Sequence, residues 1–409
     1  MVRSLNIRSL YITGLAHEYP SHSFGRKDFE NLIKKLYPTY STSLGLKKLV
    51  QLNRKTQIRS RRSVFDISKW TKDDVSPPSI DAISRLYQNL GVHLAASACT
   101  KAMKEAQVSF DDITHIVAVT CTNQGNPGYD ILVCQDLKLS PTVQRVLLHG
   151  VGCAGGLSAL RTAANIASAE SQRGRSARVL ALHIAPAIFS NAAAALVLCN
   201  STAMKNHQKP IHELLEWGSM AVPGTTSQMT YDVEADGMIA TMTKDIPKIA
   251  VGAIQPMFDR LRATTPKAHN QSSWTNLKLS NFDWAIHPGG AVILQGAQHN
   301  MRLTDDHIRA SLETYRNYGN SSSPTVLVVI DKLRHMGEGR GHVVATSFGP
   351  GMMIEMCVLK RSLPESPLSQ FSNIKNLFLS FYINLYNAPR RFEAQAPLSD
   401  DCNTCERLI

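Results

Sequence analysis

No stretch of this 409-residue chain reaches the roughly 18 unbroken apolar residues that a membrane-spanning helix needs. Its first residues, MVRSLNIRSLYITGLA, are too broken by arginine and asparagine to form the apolar heart of a signal peptide, which points to a cytoplasmic location. Among eight cysteines, only Cys402 and Cys405 stand close together, and no second pair completes a zinc site. Scattered thiols in a chain with no export signal read as buried and reduced, not as a disulfide framework. Zinc-finger, aromatic RNA-binding and long basic motifs are missing too, which argues against nucleic acid as the partner.

What is present is a generous core. Hydrophobic residues make up 43% of the chain and charged residues 19%, the balance of a soluble globular protein. A net charge of +12 favours an anionic partner. Arg54, Lys55, Arg59, Arg61 and Arg62 crowd into nine residues. They suit a small polyphosphate ligand such as coenzyme A, or equally a solvated basic stretch.

Along the chain, apolar runs alternate with small-residue helical stretches. LYITGLA, 113–121, 143–150, 177–184 and 192–200 read as strands, with helices over 79–107, around 130–137 and after residue 153. The alternation then repeats: a helix over 245–262, a strand over 282–287, a helix from Gly289, a helix over 321–336, and a closing strand pair around Gly349-Pro350-Gly351. Such a pattern predicts an α/β sandwich with internally repeated topology. The expected divisions are 1–200, 201–361 and an atypical tail over 362–409. Within that tail, FSNIKNLFLSFYINLYN reads first as an amphipathic appendage, then as a membrane-surface helix, then as sequence that does not fold.

Cys153 sits in LLHGVGCAGGLSALRTAANIA, where a strand ends, Gly150 and Gly152 permit a sharp turn, and a helix begins. A strand-to-helix elbow exposes a side chain, and a helix N-terminus lowers a thiol pKa. Taken alone, the segment also fits a core cysteine beside a tight turn. Cys99, Cys121, Cys134, Cys199 and Cys357 fit core packing better. His287 ends a strand before Pro288-Gly289-Gly290, which fixes the backbone and lets other groups approach. Asn320 precedes a helix, where asparagine commonly caps or turns.

Together these segments resemble the type III polyketide synthases, the chalcone synthase-like family, and its fungal branch in particular. VGCAGG is similar to the family's cysteine motif, WAIHPGG to its histidine motif and YGNSSS to its asparagine motif. SFGPGMMIEMCVL is similar to the late GFGPG loop, with Ser347 in place of the first glycine, and NRKTQIRSRR to the segment that meets coenzyme A. The resemblance covers the chain to about residue 360. It implies a thiolase-type layered αβαβα sandwich of two repeated halves, a homodimer, coenzyme A thioesters as substrates with malonyl-CoA as extender, and no metal or redox cofactor. The catalytic set it implies is Cys153, His287 and Asn320. Lys55, Arg59 and Arg62 are the implied phosphate contacts, and Phe348, Gly349, Pro350 and Gly351 the substrate-side loop.

The implied chemistry is acyl loading on Cys153, held as a thiolate by His287, followed by decarboxylation of malonyl-CoA. His287 and Asn320 would donate hydrogen bonds to the developing enolate. One family gatekeeper position falls near Ala240 in DGMIATMTKDIP, where many relatives carry phenylalanine, so a long fatty acyl starter and pyrone or resorcinol-type products are expected. The connector 185–191 is short where relatives have a long one, which leaves the second gatekeeper without a counterpart. A ketoacyl synthase III that condenses once from a carrier protein, and a degenerate homologue that only binds partners, are the competing readings.

Overall fold

The computed structural model describes residues 9–69, 79–123, 125–185, 190–234, 237–265 and 274–362. Positions 186–189 of the short connector, the tail beyond Ser362 and the Cys402/Cys405 pair lie outside the described residues. Contacts divide the chain after Ser362.

The described strands are β1 (Leu10–Glu18), β2 (His22–Gly25), β3 (Ser60–Ser63), β4 (His115–Val119), β5 (Gln144–Leu148), β6 (Arg178–Ala185) and β7 (Ala192–Asn200). They continue with β8 (His212–Ala221), β9 (Met229–Glu234), β10 (Gly237–Met242), β11 (Phe282–Ile286), β12 (His342–Gly349) and β13 (Met353–Arg361). The helices are α1 (Arg26–Leu36), α2 (Leu44–Lys55), α3 (Ile80–Leu86), α4 (Val92–Ala106) and α5 (Tyr129–Asp136). After them come α6 (Gly155–Gln172), α7 (Ile246–Thr264), α8 (Ala291–Met301), α9 (Arg309–Tyr318) and α10 (Pro324–Leu333).

Nine of these strands make one sheet, in the order β11-β12-β13-β8-β1-β7-β6-β4-β5. The two ends mirror each other. β4 and β6 are parallel, and β6 turns back antiparallel to β7; β11 and β12 are parallel, and β12 turns back antiparallel to β13. The seam is a short antiparallel pairing of β1 with β8, from Leu10 opposite Leu214 to Ile12 opposite His212.

Side-chain alternation along the strands sorts the core into layers. Val117, Val119, Val343 and Ala345 face a cluster built on α6 and α10, together with strands of both halves. Their neighbours Ile116 and Ala118 face α4 and α5, while Val344 and Trp284 face α7 and α8. The result is helix, sheet, central helix pair, sheet, helix: the expected αβαβα sandwich. Gly156 of α6 shows how close the central pair is. A Cβ there would come within 2.5 Å of the Ser323 carbonyl oxygen and the Val326 side chain.

One buried acid interrupts this apolar order. Asp283 on β11 is fully buried and accepts hydrogen bonds from Arg309 at 2.7 Å, Arg340 at 2.9 Å and Arg361 at 2.7 Å. Burial pushes its carboxyl up, but the three guanidinium groups outweigh that and hold it below the usual carboxylate range. The knot joins β11 to α9, to the approach to β12, and to the end of β13.

Candidate active site

β5 ends at Leu148, and the chain reverses through Gly150 (φ +74°) and Gly152 (φ +46°), conformations that glycine adopts without strain. Glycine is required at 152 for a second reason, since a Cβ there would lie 2.6 Å from the Pro350 ring. A tight turn over Gly152–Ala154 then delivers Cys153 directly before α6. The Cys153 side chain is 5% exposed, and its Sγ lies 3.4 Å from the Ser322 hydroxyl.

Burial pushes the Cys153 thiol up, while hydrogen bonds from the Ser322 hydroxyl and the Asn320 amide hold it down. The net shift is upward. The position before α6 therefore does not lower the thiol pKa as the sequence suggested, because in the closed site desolvation outweighs the helix terminus.

Asn320 lies in the turn between α9 and α10. Its Oδ1 accepts from the Ser322 backbone N–H at 2.7 Å, which leaves its amide N–H groups for the thiol. Its carbonyl accepts from the Ser190 N–H at 3.0 Å, so the β6–β7 connection holds this turn in place. Ser322 has φ +57°, an uncommon conformation for a non-glycine residue and one found at sites the surroundings over-determine. Sequence reasoning missed Ser322; the only signal was its place in YGNSSS, two residues after Asn320.

His287 follows β11, and its backbone N–H donates to Thr346 of β12 at 2.8 Å. β12 in turn packs on the cysteine turn, where Ser347 donates to the Ala154 carbonyl at 3.4 Å. The imidazole is 2% exposed, and neither ring nitrogen has a hydrogen-bond partner among the described residues. Burial lowers its pKa to about 4, so the ring is neutral at pH 7. Cys153 and Asn320 are thus in contact, while His287 shares their end of the sheet with both nitrogens unengaged.

Two other buried imidazoles, His183 and His212, are also pulled down by burial, each to about 3. An unfolded chain takes up protons on these three histidines below about pH 6.5, and the folded chain does not. Their contribution to stability is present above that pH and is lost as pH falls toward 4 and then 3. The expected result is a thermal midpoint that drops steadily from pH 7 to pH 5. Each histidine accounts for up to about 1.4 kcal/mol per pH unit. A midpoint flat across that range would refute the burial of neutral imidazoles.

Beside Cys153 lies a cavity of about 420 Å³, whose walls include Cys121, His149, Gly152, Tyr231, Met238 and Pro350. Cys121 was expected in the core, but it follows β4 at the edge of this cavity, close enough for its charge to feel that of Cys153. Its thiol is pushed up to about 12, mainly by burial and further by Cys153. Ala240 lies opposite Tyr231 in the β9–β10 hairpin, one pair along from Met238 and Val233 on that strand face.

The other sequence-derived positions separate. Pro350 lines the cavity, and Gly349 packs against the cysteine turn, with the Val151 carbonyl 2.4 Å from where a Cβ would sit. The Gly351 N–H donates to the Met229 carbonyl at 3.2 Å. Phe348 is instead buried among Met352, Ile354 and Val344, on the face turned toward α7 and α8. Lys55 and Arg59 are exposed, Arg59 reaching Asn317 Oδ1 at 3.2 Å. Arg62 is half-buried, with its guanidinium 5.7 Å from the centre of the Tyr318 ring, so it braces the Asn320 turn more than it faces solvent.

A buried cysteine in contact with an amide and a hydroxyl, with a neutral imidazole at the same end of the sheet, is an arrangement compatible with carbon–carbon condensation. With the αβαβα architecture around it, the molecule is a thiolase-type condensing enzyme. The chain belongs to the chalcone and stilbene synthase family and is a type III polyketide synthase homologue, an acyltransferase of the condensing kind. It matches the chalcone and stilbene synthase N-terminal domain over residues 19–195 and the C-terminal domain over 214–364.

The type III polyketide synthase pspB of Penicillium soppii is 42% identical over 86% of this chain and 96% of its own. The acylalkylpyrone synthase csyB of Aspergillus oryzae is 33% identical over 87% of this chain and 95% of its own. Among solved structures, the fungal type III polyketide synthase ORAS superposes with a TM-score of 0.81 at 36% identity, over 86% of this chain and all of its own. CsyB complexed with CoA-SH superposes with a TM-score of 0.80 at 32% identity, over 87% of this chain and all of its own.

Proposed function

We propose that this enzyme loads a fatty acyl group from its coenzyme A thioester onto Cys153, extends it with malonyl-CoA, and cyclises the product to a pyrone or resorcinol-type phenolic. The observation that carries the proposal is the contact of Cys153 with Asn320 and Ser322 beside a cavity, with neutral His287 at the same end of the sheet and its ring nitrogens without partners among the described residues. Neutral His287 takes the Cys153 proton, and the thiolate attacks the starter carbonyl and expels coenzyme A as the thiol. Malonyl-CoA then loses carbon dioxide, and His287 and the Asn320 amide donate hydrogen bonds to the enolate oxygen. The enolate carbon attacks the Cys153 thioester, which frees the cysteine for the lengthened chain to reload.

Lys55 and Arg59 are the exposed cations offered to the coenzyme A phosphates, with Arg62 supporting them through the Tyr318 ring. We place the enzyme in the cytoplasm as a homodimer, a setting that keeps Cys153 reduced. A long starter is supported by the small Ala240 side chain and by the name of one relative, an acylalkylpyrone synthase.

The test is incubation with labelled malonyl-CoA and a panel of acyl-CoA starters from acetyl to long-chain. Labelled tri- or tetraketides built on long-chain starters are expected, and no labelled product from any starter would reject catalytic competence. Ala240→Phe should cut turnover of the longest starters by about 10- to 100-fold while sparing the short ones, the discrimination a few methylenes of pocket supply. An unchanged starter profile would remove Ala240 from the cavity wall.

A further inference from the structure

Helix α2 turns an unusual face outward. It is twelve residues long, or about 18 Å. Val50 and Asn53 are its buried residues. On the opposite side Leu44, Lys48, Leu52 and Lys55 follow one another at helical spacing, flanked by Leu49 and Lys47. Leu44 is 83% exposed, Leu52 53% and Leu49 42%, three leucines in open solvent on two turns of helix. Lys47, Lys48 and Lys55 are exposed as well. Among the described residues, the acid of this corner, Glu30, is engaged by Lys34 and Arg54, and no ion pair involves Lys47, Lys48 or Lys55. Half-buried Tyr37 and Tyr40 precede the helix, with Lys34 5.8 Å from the centre of the Tyr40 ring.

Singly exposed leucines are ordinary on protein surfaces, but Leu44 and Leu52 interleaved on one helix face with Lys48 and Lys55, and edged by Leu49 on one side and Lys47 on the other, are not. Leucines that gain by leaving water, lysines with flexible apolar stems, and tyrosines at the rim suit the boundary between anionic headgroups and acyl chains. A buried protein interface favours a different make-up, since lysine is depleted there. We propose that α2 lies in the surface of anionic membranes and docks the enzyme there. The inference does not depend on the starter assigned above or on the residues assigned to catalysis, except that Lys55 is shared.

Flotation of the full-length protein tests it, with vesicles of phosphatidylcholine alone and of phosphatidylcholine mixed with phosphatidylserine. The protein should float with the mixed vesicles, float far less with phosphatidylcholine alone, and detach as salt is raised. Lysine near an anionic surface contributes roughly fivefold each to partitioning. A Lys47→Glu/Lys48→Glu variant should therefore lose about tenfold or more of its vesicle binding. Leu44→Ser/Leu49→Ser/Leu52→Ser should lose binding comparably while keeping the wild-type thermal midpoint and condensing activity in solution. The proposal is overturned if the protein stays unbound to anionic vesicles at low salt, or if both variants float as well as the wild type. It is also overturned if an acidic acyl carrier protein is retained by this face while vesicles are not.

Discussion

Cys153→Ala should abolish polyketide formation while leaving malonyl-CoA decarboxylation measurable. The two activities separate because they use different atoms. In the proposed mechanism chain growth needs a sulfur to carry the acyl group, whereas decarboxylation needs only the hydrogen bonds of His287 and Asn320 to the enolate oxygen that develops as carbon dioxide leaves. Loss of a nucleophile that acts as part of a unit typically costs on the order of 10⁴-fold or more. The residual decarboxylation should fall a further 100- to 1,000-fold, roughly, when His287→Ala is added.

Cys121 is the natural objection, since it shares the cavity. Its thiol is pushed up to about 12, which leaves almost none ionised at neutral pH. The Ser322 hydroxyl draws both thiols back, but Cys153 alone of the two also has the Asn320 amide lowering its pKa. Intact-mass measurement after incubation with an acyl-CoA should therefore show one acyl adduct on the wild type and none on Cys153→Ala. An adduct surviving on the variant would move the nucleophile to Cys121.

Asp283→Ala should destabilise the fold by about 3–5 kcal/mol, the usual cost of breaking a buried ion pair by removing one partner. Three guanidinium groups converge on this one carboxylate, and Arg361 and Arg309 are themselves only 10% and 14% exposed. Without Asp283, Arg361 loses the carboxylate it pairs with among the described residues, and Arg309 keeps only the exposed Asp306. The pH dependence gives the same argument a sign. The Asp283 carboxyl is held below its unfolded value, so its stabilisation is complete above that value and is lost as pH falls through the depressed one. Denaturant titrations should show the gap between wild type and variant wide at pH 7 and closing at strongly acid pH. A variant that unfolds within about 0.5 kcal/mol of the wild type would show that the knot is solvated.

Most of the sandwich was legible because its elements are apolar at the right period. ITHIVAVTC, ARVLALHI and GHVVATSF are buried on both faces and read as strands without help from the rest of the chain. β8 was not found: HELLEWGSMA has two glutamates and no β-branched residue, and its strand character comes from pairing with β1 and β13. α1 and α9 are surface elements whose polar composition resembles loop, and α2 and the β9–β10 hairpin carry apolar residues on exposed faces, which hides the period.

At the site, the turns around Cys153, His287 and Asn320 drew attention to them, but none stood out alone; their order and the resemblance of their motifs to the chalcone synthase-like family made the set. Ser322 and Cys121 were missed because their importance is purely spatial. Ser322 matters through a positive φ that nothing in its side chain advertises, and Cys121 because β4 ends beside a turn 32 positions further along the chain. The depressed thiol pKa was also misjudged, since the sequence shows the helix start but not the desolvation around it.

The place of β1 in the sheet has a consequence during synthesis. Thr13 and Val197, in contact across β1 and β7, are 184 positions apart, and β8 is more distant still. At about 5–20 residues per second, β1 waits roughly 10–40 s for β7 to be made. Throughout that time LYITGLAHE is an apolar segment without its strand partners, the kind of edge that templates aggregation. Products that stop short of β7 are therefore expected to aggregate through β1, however stable the finished enzyme is.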